Sequence, residues 1–251
     1  MDWKGNSCML KEFKYKELMK PLGILLGCSF VYNLGFLLLS TFIMNYVVQT
    51  TLSLLSAIVL YCISSKLWNK DAPIVFKQLF QVLIIEMIWL LFVFVISDGL
   101  NQIGASVLSQ IINAILVLFA LPFELLYFYQ LHLQKTNIKE IFQGIFVCIK
   151  KNGRTIFNTY CFILILIVVL DTLTGGLFSI SSGIDTQQMF MTIVLFANPL
   201  MNCMMQMFVI AGMGLSMMDA IVPMFLFLII GVWMGLIELN YILYIKRKCE
   251  E

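Results

Sequence analysis

Charge is what this sequence has least of. Of 251 residues only 12% are Asp, Glu, Lys or Arg, one is histidine and five are proline, while 61% are apolar. A soluble domain carries about a quarter charged residues and under half apolar, so an ordinary globular enzyme is excluded. Familiar catalytic signatures are missing as well. The chain has no Gly-x-x-x-x-Gly-Lys-Ser/Thr phosphate loop, no His-Glu-x-x-His and no Gly-x-Ser-x-Gly. With His132 alone and dispersed carboxylates there is no convergent acid, base or metal set, so the expectation is a non-enzymatic protein without a cofactor. No Cys-x-x-Cys occurs: Cys28, Cys62, Cys161 and Cys203 lie in apolar runs, and Cys8, Cys148 and Cys249 flank basic clusters. Scattered thiols of this kind act as small hydrophobes.

The composition points to an integral membrane protein, and no stretch free of long apolar runs reaches the ~50 residues of a separate soluble domain. Residues 1–251 are therefore read as one transmembrane domain in the lipid bilayer, with no nucleic-acid partner. The first apolar run is too long for a signal-peptide core and lacks a small-residue cleavage site, so it reads as a retained span.

The basic residues carry the topology. All 16 fall in four clusters: Lys4 to Lys20, Lys66 to Lys77, Lys135 to Arg154, and Lys246 to Lys248. Short cytoplasmic loops collect Lys and Arg, which places the four clusters and the N-terminus inside, in a multi-pass plasma-membrane arrangement. Each basic-free interval must then cross an even number of times. A crossing needs ~20 helical residues. The intervals accommodate spans at Leu22 to Met44, Gln49 to Ile63, Leu79 to Ser97, Ala105 to Gln130, Ile156 to Leu177 and Ile221 to Tyr244. Residues 1–21 form a basic cytoplasmic tail, and an outer loop is expected around Asp98-Gly99-Leu100-Asn101.

A further apolar run, 189–213, is interrupted by Asn198-Pro199 and Asn202, where proline removes a donor and disfavours helix before it. The preferred fold is thus an all-α polytopic bundle of six crossings plus a broken or re-entrant helix, its irregular backbone buried in protein. Seven crossings with a proline-kinked span are the alternative. Ten methionines lie between Met189 and Met224. With Cys203 they offer soft donors that suit Cu(I), but no histidine joins them and thioethers also fill irregular gaps, so no metal site is expected.

Residues 137–151 have the pattern of a short interfacial helix. Asn137 caps it, Glu140 completes a reciprocal cap, and Ile138, Ile141, Phe142, Ile145, Phe146 and Ile149 form an apolar face. Lys139, Lys150, Lys151 and Arg154 are the candidate membrane-surface or docking residues. A faint repeat places Phe13-Lys14, Phe76-Lys77 and Ile138-Lys139 before successive apolar hairpins.

Among the acids in apolar runs, Glu86, Glu124 and Glu238 lie nine, eleven and eight residues from Lys77, Lys135 and Lys246. At ~1.5 Å per residue all three fall roughly 12 to 17 Å from the basic ends, in one layer. No Lys or Arg shares their spans, so each must be protonated, hydrated or facing a cavity. A proton, cation or substrate path is the sharp reading. Wetting from the headgroup zone, or hydrogen bonding to Tyr127, Tyr241 or Asn240, is the bland one. Asp171 is read as a helix-end residue. Gly23-x-x-x-Gly27 and Gly231-x-x-x-Gly235 offer close helix approach, within the protomer or in a homodimer.

Three stretches carry a resemblance: Leu121-Pro122-Phe123 leading through the amphipathic segment to Lys150-Lys151-Asn152-Gly153-Arg154-Thr155 and an apolar helix; Leu60-Tyr61-Cys62-Ile63-Ser64-Ser65-Lys66-Leu67; and Val75-Phe76-Lys77-Gln78-Leu79-Phe80. Here the chain resembles small bacterial polytopic membrane proteins of the YesL-like type, and is similar to the membrane-domain proteins that accompany glycerophosphodiester phosphodiesterases. The resemblance implies a multi-helix plasma-membrane protein of the kind sometimes associated with transport operons, and implies no catalytic residues. The leading expectation is a transporter or permease-like component. A structural or assembly protein, or a membrane subunit partnering a separate cytoplasmic ATPase through the 137–151 helix, are the alternatives.

Overall fold

The computed structural model describes residues 15–39, 42–43, 45–135, 137–173, 200, 203–204 and 217–251. Six helices run through them: α1 Tyr15–Leu39, α2 Asn45–Trp68, α3 Phe76–Gln102, α4 Ser106–His132, α5 Ile138–Leu173 and α6 Met217–Glu250. Four stretches of helix are long and apolar enough to cross a membrane: Leu18–Leu39, Thr50–Trp68, Phe76–Ile96 and Ile221–Glu250. Large side chains such as Val31, Ile88, Leu91 and Phe225 are exposed along these helices, the surface a lipid-facing bundle presents. The chain is an all-α integral membrane protein.

Each helix from α1 to α5 packs on the next, and α6 packs against α1, α2, α4 and α5. The tightest core lies where the basic clusters meet. Tyr61, Leu125, Phe128, Leu131, Tyr241 and Ile245 are completely buried there. Trp68 ties the end of α2 to the last turns of α6: its indole Nε1 donates to the Ile242 carbonyl at 2.9 Å, and Lys246 Nζ donates to the Trp68 carbonyl at 2.8 Å. Its ring stands edge-on to Tyr129 at 5.3 Å. Gln78 clamps three helices, donating to the Leu131 carbonyl at 2.8 Å and accepting the Tyr61 hydroxyl at 3.0 Å. Clusters from three parts of the chain thus share one end of the bundle, called the basic end below.

Several boundaries differ from expectation. Helix α1 starts at Tyr15, so residues 15–21 of the basic N-terminal segment are helical; residues 1–14 lie outside the described residues. The reason is the Leu18, Leu22, Leu25 stripe, which is buried as one helical face on both sides of Pro21. Helix α2 starts at Asn45, earlier than the expected span. The Asp98 to Asn101 stretch is helical, and the turn falls at Ile103 to Ala105. Gly104 decides its place: φ is +72°, and the Ala105 amide reaches the Leu100 carbonyl at 2.9 Å, a glycine-terminated helix end.

The separate interfacial helix over 137–151 is corrected too. Asn137 does cap, its Oδ1 accepting the Lys139 amide at 3.1 Å, but the helix continues unbroken to Leu173. Ile141, Ile145, Cys148 and Ile156 are buried along it, so packing against the bundle carries the helix past Gly153. Phe76 and Ile138 open α3 and α5 at matching positions of the repeat. The first copy, Phe13-Lys14, lies outside the described residues, as does the 189–213 run apart from Leu200, Cys203 and Met204.

The glycine motifs separate. A Cβ on Gly231 would strike the Cys203 carbonyl, and one on Gly235 would lie 2.8 Å from Leu22 Cδ1. These glycines are buried within the protomer against α1 and Cys203, and they are not open to a homodimer contact. Gly23 and Gly27 have nothing within 4 Å of an added Cβ, so the approach of α1 to α6 runs through Leu22 and Leu25 instead.

Candidate functional site

Helices α3 and α5 flank α4 without forming a packed pair with each other. The groove between them deepens into a cavity of about 590 Å³ floored by α2. Each wall is a helical face. Helix α2 contributes Ser53, Ser56 and Leu60, helix α3 contributes Ile85, Glu86, Trp89 and Phe92, and helix α4 contributes Ala120, Phe123, Glu124 and Tyr127. Spacings of three, four and seven bring each set onto one side of its helix. Phe142 and Ile145 of α5 complete the lining.

Two of the three glutamates anticipated as a layer therefore share one cavity. Glu86 accepts a hydrogen bond from Ser53 Oγ at 3.0 Å. Among the described residues, neither Glu86 nor Glu124 has a basic partner in an ion pair; ion pairs there join Lys246 to Glu250 and Lys248 to Glu251, in the last residues of the sequence. An acid in apolar surroundings without a counter-charge calls for a proton, a cation or water. The cavity supplies room for any of these. Phe92, Phe123 and Phe142, all exposed, stand at its rim, so the opening is lateral, toward the lipid-facing side.

Glu238 does not join them. It is buried at 4% exposure and its Oε2 accepts the Cys203 thiol at 3.2 Å. Fully buried Tyr160 lies within electrostatic reach of both Glu124 and Glu238. The layer thus divides into an open pair and a separate buried acid that holds the Cys203-Met204 turn.

Lys139, Lys150, Lys151 and Arg154 are all exposed on α5. The antiparallel register of α4 and α5 fixes their level. Gly144 lies against Gln130, and the Phe157 ring is 5.9 Å from Phe123, so Lys150 and Lys151 sit about level with Glu124. The acidic cavity is on the basic side of the bundle, near the height at which the exposed lysines stand.

Sequence reasoning passed over Ser53 and Ser56. Their signal was present: two hydroxyls three residues apart in an otherwise apolar run share one helical face. Also unforeseen was the polar set at the basic end, where Ser65 Oγ meets His132 Nδ1 at 2.9 Å. Burial holds the His132 imidazole below its ordinary value, Lys246 adds to the effect and Glu250 opposes it. Nearby, a hydrogen bond with Cys249 lowers the Cys148 thiol against the effect of burial, with help from Lys151.

Compared with known proteins, the chain matches no family model, and no curated protein and no solved structure is significantly similar to it. Its class rests on its own fold and site: a helical integral membrane protein with an acidic cavity on its basic side.

Proposed function

We propose that this protein is a transporter or permease-like component of the plasma membrane, non-enzymatic, with its basic end and N-terminus in the cytoplasm. The observation that carries the reading is the convergence of Glu86 and Glu124, with Ser53 and Ser56, on one cavity of about 590 Å³. That volume lies within the ~300–1,000 Å³ of small-molecule sites, and unpaired intramembrane acids mark ion or substrate pathways by default. A purely structural protein gains nothing from two such acids facing a void.

Six crossings plus a re-entrant segment is the topology we favour. Cys203 packs on Gly231, fourteen residues into α6, about 21 Å from that helix's start at ~1.5 Å per residue. The depth of Cys203 against α6 is what supports a re-entrant element between α5 and α6. Glu238, bonded to Cys203, is assigned to holding this turn.

The test is uptake into proteoliposomes carrying a pH gradient, using radiolabelled sodium, rubidium, choline, amino acids and tetraphenylphosphonium. At least one solute should accumulate above empty vesicles, and E86Q/E124Q should abolish the accumulation. Uptake of none, or uptake untouched by the double substitution, overturns the proposal. A second reading, a membrane subunit driven by a separate ATPase, is favoured by the exposed Phe146, Val147, Lys150 and Lys151 on α5. Co-purification without any nucleotide-binding partner counts against it.

A further inference from the structure

We infer that the cavity between α3 and α5 takes lipophilic organic cations, which enter sideways from the leaflet on the basic side. The inference rests on the reading of this cavity as the substrate site and adds the chemical class of the substrate. Three observations meet in it. The two formal charges lining the cavity, Glu86 and Glu124, are both acidic and lack a basic partner among the described residues. Apart from Ser53 and Ser56, the remaining wall is largely apolar and aromatic, with Trp89, Phe92, Phe123 and Tyr127. The rim, with exposed Phe92, Phe123 and Phe142, lies between helices that do not form a closely packed pair.

Each observation narrows the ligand. A small hydrated metal ion would be served by carboxylates and serines but would leave the aromatic wall unused. A neutral apolar molecule or an acyl chain would fill the wall and leave two acids in apolar surroundings without a counter-charge, an arrangement that costs free energy. A bulky cation with an apolar periphery satisfies both, since aromatic faces attract cations as carboxylates do. The position suits such molecules as well. They concentrate at the boundary between headgroups and acyl chains, and the register of α4 and α5 sets Glu124 about level with the exposed Lys150 and Lys151. Those lysines stand outside the cavity and do not line it.

Tetraphenylphosphonium and tetraphenylborate test this, being nearly equal in size and shape and opposite in charge. Binding is measured on the purified full-length protein in uncharged detergent by equilibrium dialysis, with tryptophan fluorescence as a second readout because Trp89 lines the cavity. Tetraphenylphosphonium should bind saturably and quench fluorescence; tetraphenylborate should bind at least about tenfold more weakly; E86Q/E124Q should weaken the cation by at least about tenfold. Equal binding of the two ions, absence of cation binding, or cation binding unaffected by the substitutions overturns the inference. If the double variant does not fold, the comparison of the two ions on the unmodified protein decides alone. Binding in micelles needs no flux. Cation binding without uptake of any solute into vesicles therefore sinks transport and spares the ligand class, and uptake of another solute without cation binding does the reverse.

Discussion

Replacing Gln78 by leucine removes a side chain that joins α2, α3 and α4 by hydrogen bonds at the basic end. Its amide donates to the Leu131 carbonyl and its Oε1 accepts from Tyr61. The Leu131 carbonyl keeps the Gln134 amide at 2.9 Å, so the first loss is a net hydrogen bond of about 1 kcal/mol. The Tyr61 hydroxyl fares worse. Tyr61 is completely buried, and its hydroxyl is left with the Ser65 hydroxyl, which it must share with His132. Leaving a buried hydroxyl with a poorer acceptor costs about 1–3 kcal/mol, offset by roughly 1 kcal/mol from the added apolar burial. Q78L should therefore destabilise by about 2 kcal/mol. Y61F leaves Gln78 Oε1 with the Val75 amide at 3.4 Å and should cost about 1 kcal/mol. The double variant leaves no hydroxyl short of a partner, so it should cost at least about 2 kcal/mol less than the sum of the two. Unfolding of the purified protein in mild detergent by graded SDS, followed by circular dichroism, gives all four corners of the cycle. Additive losses, or a Q78L variant as stable as the parent, would refute the clamp.

Two further outcomes follow from packing and titration. Gly231→Val should lower the thermal midpoint, because the new Cβ meets the Cys203 backbone carbonyl, which cannot swing aside as a side-chain tip can; overpacking of this kind costs about 1–3 kcal/mol. Gly23→Ala and Gly27→Ala meet nothing within 4 Å and should be neutral or slightly stabilising, so equal losses at Gly231 and Gly23 would discredit the seating of Cys203 on α6. The second outcome concerns acid. Burial holds the His132 imidazole below its ordinary value of about 6.5 in the fold, so the unfolded chain binds the proton first as pH drops. Its stabilising contribution is complete above about pH 6.5 and declines as pH falls from there through the folded value. The SDS midpoint should decrease from pH 7.5 to pH 5.5, and His132→Gln should flatten that part of the profile; an unchanged slope in the variant would assign the effect elsewhere.

What could be read without the structure was whatever has a one-dimensional signature. The six helices that are described, the sharing of one end by the basic clusters, and the Asn137 cap all follow from run length, charge spacing and local capping chemistry. The misplacements share a physical origin. Polar Asp98 and Asn101 read as a loop, yet a helix stops where its last carbonyls find donors, and Gly104 supplies the left-handed residue that allows this. Residues 137–151 read as a surface helix because their amphipathicity is real, but an apolar face is equally satisfied by α4 and α6 as by lipid, and Ile141 and Ile156 are fully buried in protein. Depth along a helix was readable for the three glutamates. Azimuth was not, and azimuth separates Glu238 from the other two.

That separation bears on how the molecule uses its few charges. The acid with a protein partner, Glu238, sits where Cys203 and two glycines crowd α6, and its hydrogen bond with the thiol is a local structural contact. Glu86 and Glu124 sit instead in the groove between α3 and α5, which do not form a packed pair, and Glu86 accepts a hydrogen bond from the Ser53 hydroxyl. Were the gap between α3 and α5 only a packing defect, apolar side chains from either wall would close it at lower free energy than two carboxylates kept against Trp89 and Phe123. A void that keeps its acids and an open side is a feature that packing alone does not account for, and a ligand carrying both positive charge and apolar surface accounts for the acids, the aromatics and the opening together.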